Sequence, residues 1–205
     1  MADEAGEQID PLLARVARLP YAAGRRARDL ITWANDEVVV DTDSGYQIRF
    51  APRALDGMQD EAFGTSYALG PDVETGGMLL GQIDDASGVV WVTSIAAPTP
   101  GSEQSSSYVR LAAEYTRELL TVIEDESSGR ISFIGMWHTH PHAVPFESQT
   151  DQEAVRALLT NKEHPLHRVL LVIVGGEPAA WDAWLTGDGP PAIYARLAAR
   201  ATKTG

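Results

Sequence analysis

The run Ile131-Ser-Phe-Ile-Gly-Met-Trp137 passes without a break into His138-Thr-His140-Pro141. A mostly apolar run of this length reads as a central strand, covered on both faces, so the chain needs a sheet with layers on either side. Side chains two apart on a strand share a face, which sets the His138 and His140 imidazoles side by side and turns Trp137 to the opposite face as a core residue. Pro141 lacks an amide hydrogen and ends the strand. A helix is expected from Ser148 to Leu159, with Ser148 as N-cap and Asp151 in its first turn. If that helix start faces the strand end, two neutral imidazoles and a carboxylate converge. Three protein ligands with an open water position is the composition of a catalytic zinc site, whereas a closed structural site needs a fourth ligand, usually cysteine. Each residue also has a plainer reading: the histidines as polar residues at a strand end, Ser148 as a helix cap, and Asp151 as a first-turn charge favoured by the helix dipole.

Elsewhere the pattern alternates. Residues 37–41 and 45–50 read as a hairpin around Asp43-Ser44-Gly45, and Pro52 to Phe63 as a short helix with Leu55, Met58 and Phe63 inward. Glu74 to Gly81 and Val89 to Ile95 read as strands, and Pro98 to Ser107 as a loop. Leu111 to Glu126 is a helix with Leu111, Tyr115, Leu119 and Ile123 at every fourth residue. Val169 to Val174 and Ala180 to Leu185 are strands, and Pro191 to Thr202 reads as a closing helix. Strands joined partly by helices and partly by tight turns predict an α/β (α+β) fold, a mixed β-sheet flanked by helices. Residues 1–36 read as a helical appendage: Asp10 caps, Pro11 takes the first helical position, and Leu12, Leu13, Val16 and Leu19 recur at helical spacing. Arg25, Arg26 and Arg28 of a second helical stretch there are a solvated face or a dock for a partner domain. His142 is a loop residue facing solvent or substrate. His164 and His167 are a turn or a second metal pair, and the Ser105–Ser107 loop is plain surface or substrate-facing.

The chain has 205 residues, 44% of them hydrophobic and 22% charged. That suits a globular core able to fold without cross-links, so a metal would serve chemistry rather than stability. The absence of cysteine excludes disulfides, thiolate ligands and a cysteine nucleophile, and with them a zinc deaminase. There is no H-E-x-x-H, no G-x-S-x-G and no P-loop. A net charge of −13 repels nucleic acid. No secretory h-region and no run of about 18 apolar residues is present, so the expected location is the cytoplasm, with no membrane span.

The spacing H-x-H-P, six residues, S-x-x-D, carried by His138, His140, Pro141, Ser148 and Asp151, resembles the JAMM motif of the MPN-plus metalloproteases. Upstream, Glu74-Thr-Gly-Gly-Met-Leu-Leu-Gly81 resembles that family's E-x-G-G-x-L-x-G strand. The resemblance runs from Gly45 to Leu185. It implies a cytidine-deaminase-like MPN domain over 37–205, with 1–36 outside it. It also implies one catalytic Zn2+ held by His138, His140 and Asp151, with Glu74 as general acid–base and Ser148 as an oxyanion donor. The activity implied is that of a bacterial metallo-isopeptidase or peptidase acting after the C-terminal tail of a ubiquitin-like modifier. Partners would be that modifier or its conjugates, and an E1-like or E2-like protein of the same pathway. Two alternatives follow from the same resemblance: a peptidase releasing one amino acid from a sulfur-carrier protein, and a non-catalytic interaction module. The short segment between Asp151 and Val169 leaves little room for the insertion of chain-type-specific relatives.

Overall fold

The computed structural model describes residues 38–41, 46–143, 145–161, 166–175, 181–187 and 193–197. The N-terminal appendage and His164 lie outside them, and the side chains of Trp181 and Trp184 are not among those described. The strands are β1 (Val38–Asp41), β2 (Gln47–Phe50), β3 (Gly76–Asp84), β4 (Val89–Ala96), β5 (Glu103–Gln104), β6 (Val109–Arg110), β7 (Ser132–His140), β8 (Arg168–Gly175), β9 (Trp181–Gly187) and β10 (Ile193–Leu197). The helices are α1 (Pro52–Leu69), α2 (Ala113–Ser127) and α3 (Gln149–Leu159).

Among the described residues, eight strands form one sheet in the order β1-β2-β4-β3-β7-β8-β9-β10, and β5 and β6 pair separately. The pairs β2·β4 and β7·β8 are parallel and the others antiparallel, so the sheet is mixed, as expected. The outermost strands β1 and β10 touch, so the sheet curls round on itself. Opposite Leu79/Leu80 and Leu80/Gly81 of β3 the register skips Ile134 of β7 and Thr93 of β4, bulges that bend those two strands and add to this curl.

The apolar residues alternate across the sheet. One face carries Phe50, Val92, Leu79, Trp137, Leu170 and Val172, which form one buried cluster with Ala54 and Met58 of α1. On the other face, Met78 and Leu80 meet Leu119 and Ile123 of α2, while Val169, Leu171 and Ile173 meet Val155 of α3. Each fully buried Leu or Ile contributes about 1.5–3 kcal/mol relative to an exposed one, so this three-layer core is what holds β7 in the middle. Trp137 is buried as expected, and its indole N–H donates to the Ala96 carbonyl at 3.4 Å.

Four expectations are corrected. Phe63 does not point inward; it is 76% exposed. It lies five residues beyond Met58, about 140° round the helix, while Ala54, Met58 and Thr65 share the buried face. The helix itself runs on to Leu69 and stops only before Gly70-Pro71. The Pro98–Ser107 loop contains half of a small hairpin, since β5 pairs with β6. Finally, Ile193–Leu197 is a strand, not a helix. Pairing with the open edge of β9 overrides a local helical preference from alanine that is worth only tenths of a kcal/mol per residue, and Ile193 and Tyr194 suit a strand. No helix among the described residues is long and apolar enough to cross a membrane.

The glycines of β3 are set by the closeness of its neighbours. A Cβ on Gly76 would sit 2.5 Å from the Trp137 carbonyl oxygen, and one on Gly77 would sit 1.8 Å from that of Ala96. Both obstacles are backbone and cannot rotate away. Gly77→Ala is therefore expected to cost at least about 2 kcal/mol, read as a lower urea midpoint at unchanged slope.

Candidate metal centre

The crossover β7–α3–β8 positions the site. Parallel neighbours β7 and β8 need a connection that returns over the sheet, and the return brings the start of α3 back beside the end of β7. Ser148 is the N-cap of α3. Its hydroxyl oxygen accepts the Asp151 backbone N–H at 3.2 Å, and the Asp151 Oδ2 accepts the Ser148 backbone N–H at 2.7 Å. This reciprocal capping box fixes the Asp151 carboxylate and leaves Oδ1 directed at the strand end.

There His138 and His140 stand on one face, ring centroids 4.9 Å apart. Their Nε2 atoms are 3.0 Å from each other. Asp151 Oδ1 is 3.2 Å from His138 Nε2, and Oδ2 is 3.8 Å from His140 Nε2. Ligands held at about 2.05 Å by a tetrahedral ion lie about 3.3 Å apart, and the 3.0 Å between the two Nε2 atoms and the 3.2 Å from His138 Nε2 to Asp151 Oδ1 are close to that value. Burial pushes the His138 imidazolium down to about 4, the Asp151 charge opposing this and His140 adding to it. Burial likewise lowers His140, against the pull of Asp151. Both rings are therefore neutral near pH 7, the form that coordinates. A hydrogen bond between the two imidazoles satisfies only one facing lone pair, whereas a cation at the centre satisfies both and the carboxylate together. The donor set fits a divalent ion. His138, His140 and Asp151 are the one such group among the described residues, with all ligand atoms within 4.8 Å of one another.

Glu74 lies outside that group, just before β3 on the same cleft of about 600 Å³. Burial, and then the negative charge of Asp151, raise its carboxyl from 4.5 to about 7. It is thus poised to exchange a proton near neutrality. The register Gly76↔His138 and Gly77↔Trp137, carried two residues back, sets Glu74 opposite His140. The β5–β6 hairpin forms the other wall: the Glu74 N–H donates to the Ser105 carbonyl at 2.8 Å, and Ser106 to Val109 line the cleft.

The structure brings all five residues singled out by the sequence, Glu74, His138, His140, Ser148 and Asp151, to one cleft. His142 is exposed at its rim, its Nε2 2.5 Å from Asp72 Oδ1. Asp72 and the backbone role of Ser105 carry no motif and were not legible in sequence. Thr139 was, in principle. It alternates with two site histidines, so it must face the other way, and it is only 5% exposed.

A group of three side chains that could hold one metal ion, at the carboxyl end of a strand in a mixed α+β sheet, is the class defined by this geometry. The chain belongs to the family of prokaryotic homologues of the JAB domain, which it matches over residues 61–186. It is 31% identical over 119 residues to a probable metalloprotease, y4qB, of Sinorhizobium fredii, covering 56% of this chain and 71% of that protein. It is 30% identical over 112 residues to the CD-NTase/cGAS isopeptidase of Vibrio cholerae, covering 55% of this chain and 65% of that one. Among solved structures it is similar to protein DSY2949 of Desulfitobacterium hafniense, at 20% identity and a TM-score of 0.46, over 68% of this chain and 84% of that one. The kinship supports a JAB-type hydrolase.

Proposed function

We propose that the protein is a zinc-dependent isopeptidase or peptidase that hydrolyses the amide bond following the C-terminal tail of a ubiquitin-like modifier. The observation that carries this reading is the His138–His140–Asp151 cluster, with 3.0–3.8 Å between its facing atoms, sharing a cleft with a carboxyl held near neutrality. The relative named an isopeptidase supports the choice of bond. An extended tail fits a cleft edged by a short hairpin, where backbone pairing could hold it in strand form.

His138, His140 and Asp151 would hold the zinc, which when bound polarises the scissile carbonyl and acidifies water. Glu74 acts as the base that takes the water proton and then delivers it to the leaving amine. Its half-buried position gives it the affinity for a proton that both steps need. Ser148 has two tasks. Its oxygen caps α3, and its hydroxyl hydrogen is directed to the developing oxyanion. Ser148→Ala is expected to lower kcat by about 10²–10³-fold and to cost about 1 kcal/mol of stability through the lost cap. Steady-state kinetics and thermal melting read the two separately.

The reading is tested with zinc-loaded protein and modifier–lysine conjugates, products being weighed by mass spectrometry. Release of the intact lysine-bearing target, abolished by chelation, supports it. Absence of cleavage, or cleavage that Glu74→Ala leaves unchanged, contradicts it. Release of a single amino acid instead assigns the sulfur-carrier peptidase activity.

A further inference from the structure

We infer that Thr139 is a positioning residue for Glu74, its hydroxyl standing in for a ladder bond where β3 parts from β7. This rests on Glu74 being the general acid–base proposed above. The register that pairs Gly76 with His138 pairs Thr75 with Thr139 next. An antiparallel pair at such a position exchanges two backbone hydrogen bonds. Only one is made here, from Thr139 N–H to the Thr75 carbonyl at 2.8 Å. In place of the second, the Thr75 N–H donates to Thr139 Oγ1 at 2.9 Å, and that hydroxyl donates back to the Thr75 carbonyl at 3.4 Å. Both residues are buried.

The substitution has a geometric consequence. A hydroxyl reaches further than a carbonyl on its own strand, so the two backbones can separate at this pair without leaving the Thr75 amide unsatisfied. The next residue, Glu74, falls at the non-hydrogen-bonded position opposite His140, so its backbone groups face away from β7 toward the hairpin, where its N–H reaches the Ser105 carbonyl at 2.8 Å and its carbonyl accepts from Gln104 Nε2 at 3.4 Å. Glu74 is therefore pinned on both sides, by Thr139 toward the histidines and by Ser105 away from them. Thr139 is also the residue between the two proposed ligands, so the acid–base and the metal are referred to one point on β7. His138 and His140 do not depend on the hydroxyl in the same way, because β7 is held through its pairing with β8 on the other side.

The test compares Thr139→Val, which keeps the shape without the hydroxyl, with Thr139→Ser, which keeps the hydroxyl. Thr139→Ala is a second hydroxyl-free variant in case valine prevents folding. In metal-free full-length protein, the Thr75 amide is expected to exchange about 10-fold faster in the hydroxyl-free variants and as wild type in Thr139→Ser. With zinc and modifier conjugates, kcat is expected to fall about 10- to 100-fold with KM and zinc stoichiometry unchanged, and serine is expected to restore it. The inference is overturned if hydroxyl-free variants keep wild-type kcat, if serine is as impaired as valine, or if the loss is of zinc rather than of kcat. Unchanged Thr75 exchange in the hydroxyl-free variants overturns it as well, even in a protein that cleaves no modifier conjugate. A wild-type protein with no such cleavage but the expected exchange pattern refutes the proposed function and leaves the clamp standing.

Discussion

Glu74→Gln lowers kcat by about 10²–10⁴-fold while zinc binds with wild-type affinity. Glutamine keeps the size and hydrogen-bonding capacity of the side chain but cannot accept a proton, and Glu74 lies outside the cluster that would hold the ion. Steady-state rates paired with a zinc titration read both halves. The pH profile adds a sign. The metal-free carboxyl sits at about 7, raised by burial and by Asp151, and a bound dication favours its ionised form. Base function is therefore gained as pH rises, and the acid limb of kcat/KM falls below 7 in the zinc-loaded enzyme. In Glu74→Gln that limb disappears.

The second large effect is at Asp151. Asp151→Asn removes the charge but keeps an oxygen to accept the Ser148 N–H, so the helix cap survives and zinc does not. Losing an outer-shell partner of a metal ligand costs about 10- to 100-fold in affinity, and losing one of three ligands costs more. Zinc affinity is expected to fall by at least about 100-fold, and activity with it, at nearly unchanged melting temperature. Asp151→Ala also breaks the reciprocal cap, adding about 1 kcal/mol of destabilisation. The contrast between asparagine and alanine separates the residue's two tasks, which a single substitution would confuse. Dialysis against chelator and back-titration, with a parallel melt, measures both.

The parts of the fold that were legible in sequence are those fixed by short-range rules. The period of two in β7 placed the histidines together and Trp137 opposite, and the Ser148–Asp151 spacing announced a capped helix start. What was not legible depends on partners distant in the chain. Ile193–Leu197 is a strand because β9 offers it an edge, and no local pattern encodes that edge. The apolarity of Phe63 suggests an inward side chain, but its angle from Met58 turns it to solvent. The elevated carboxyl of Glu74 arises from burial under a hairpin and from a charge 77 positions away along the chain, at Asp151. Its motif was visible beforehand; the environment that suits it to acid–base work was not. The Thr75–Thr139 bonds join residues 64 apart, and only the register of β3 on β7 brings them together.

The central claim is that His138, His140 and Asp151 hold one divalent ion. An anomalous difference map from zinc-grown crystals, collected at the zinc edge, tests it directly. The expected result is a single strong peak about 2.0–2.2 Å from both imidazole nitrogens and an Asp151 oxygen. A map with no peak between these three side chains, or with zinc bound only elsewhere, would contradict it.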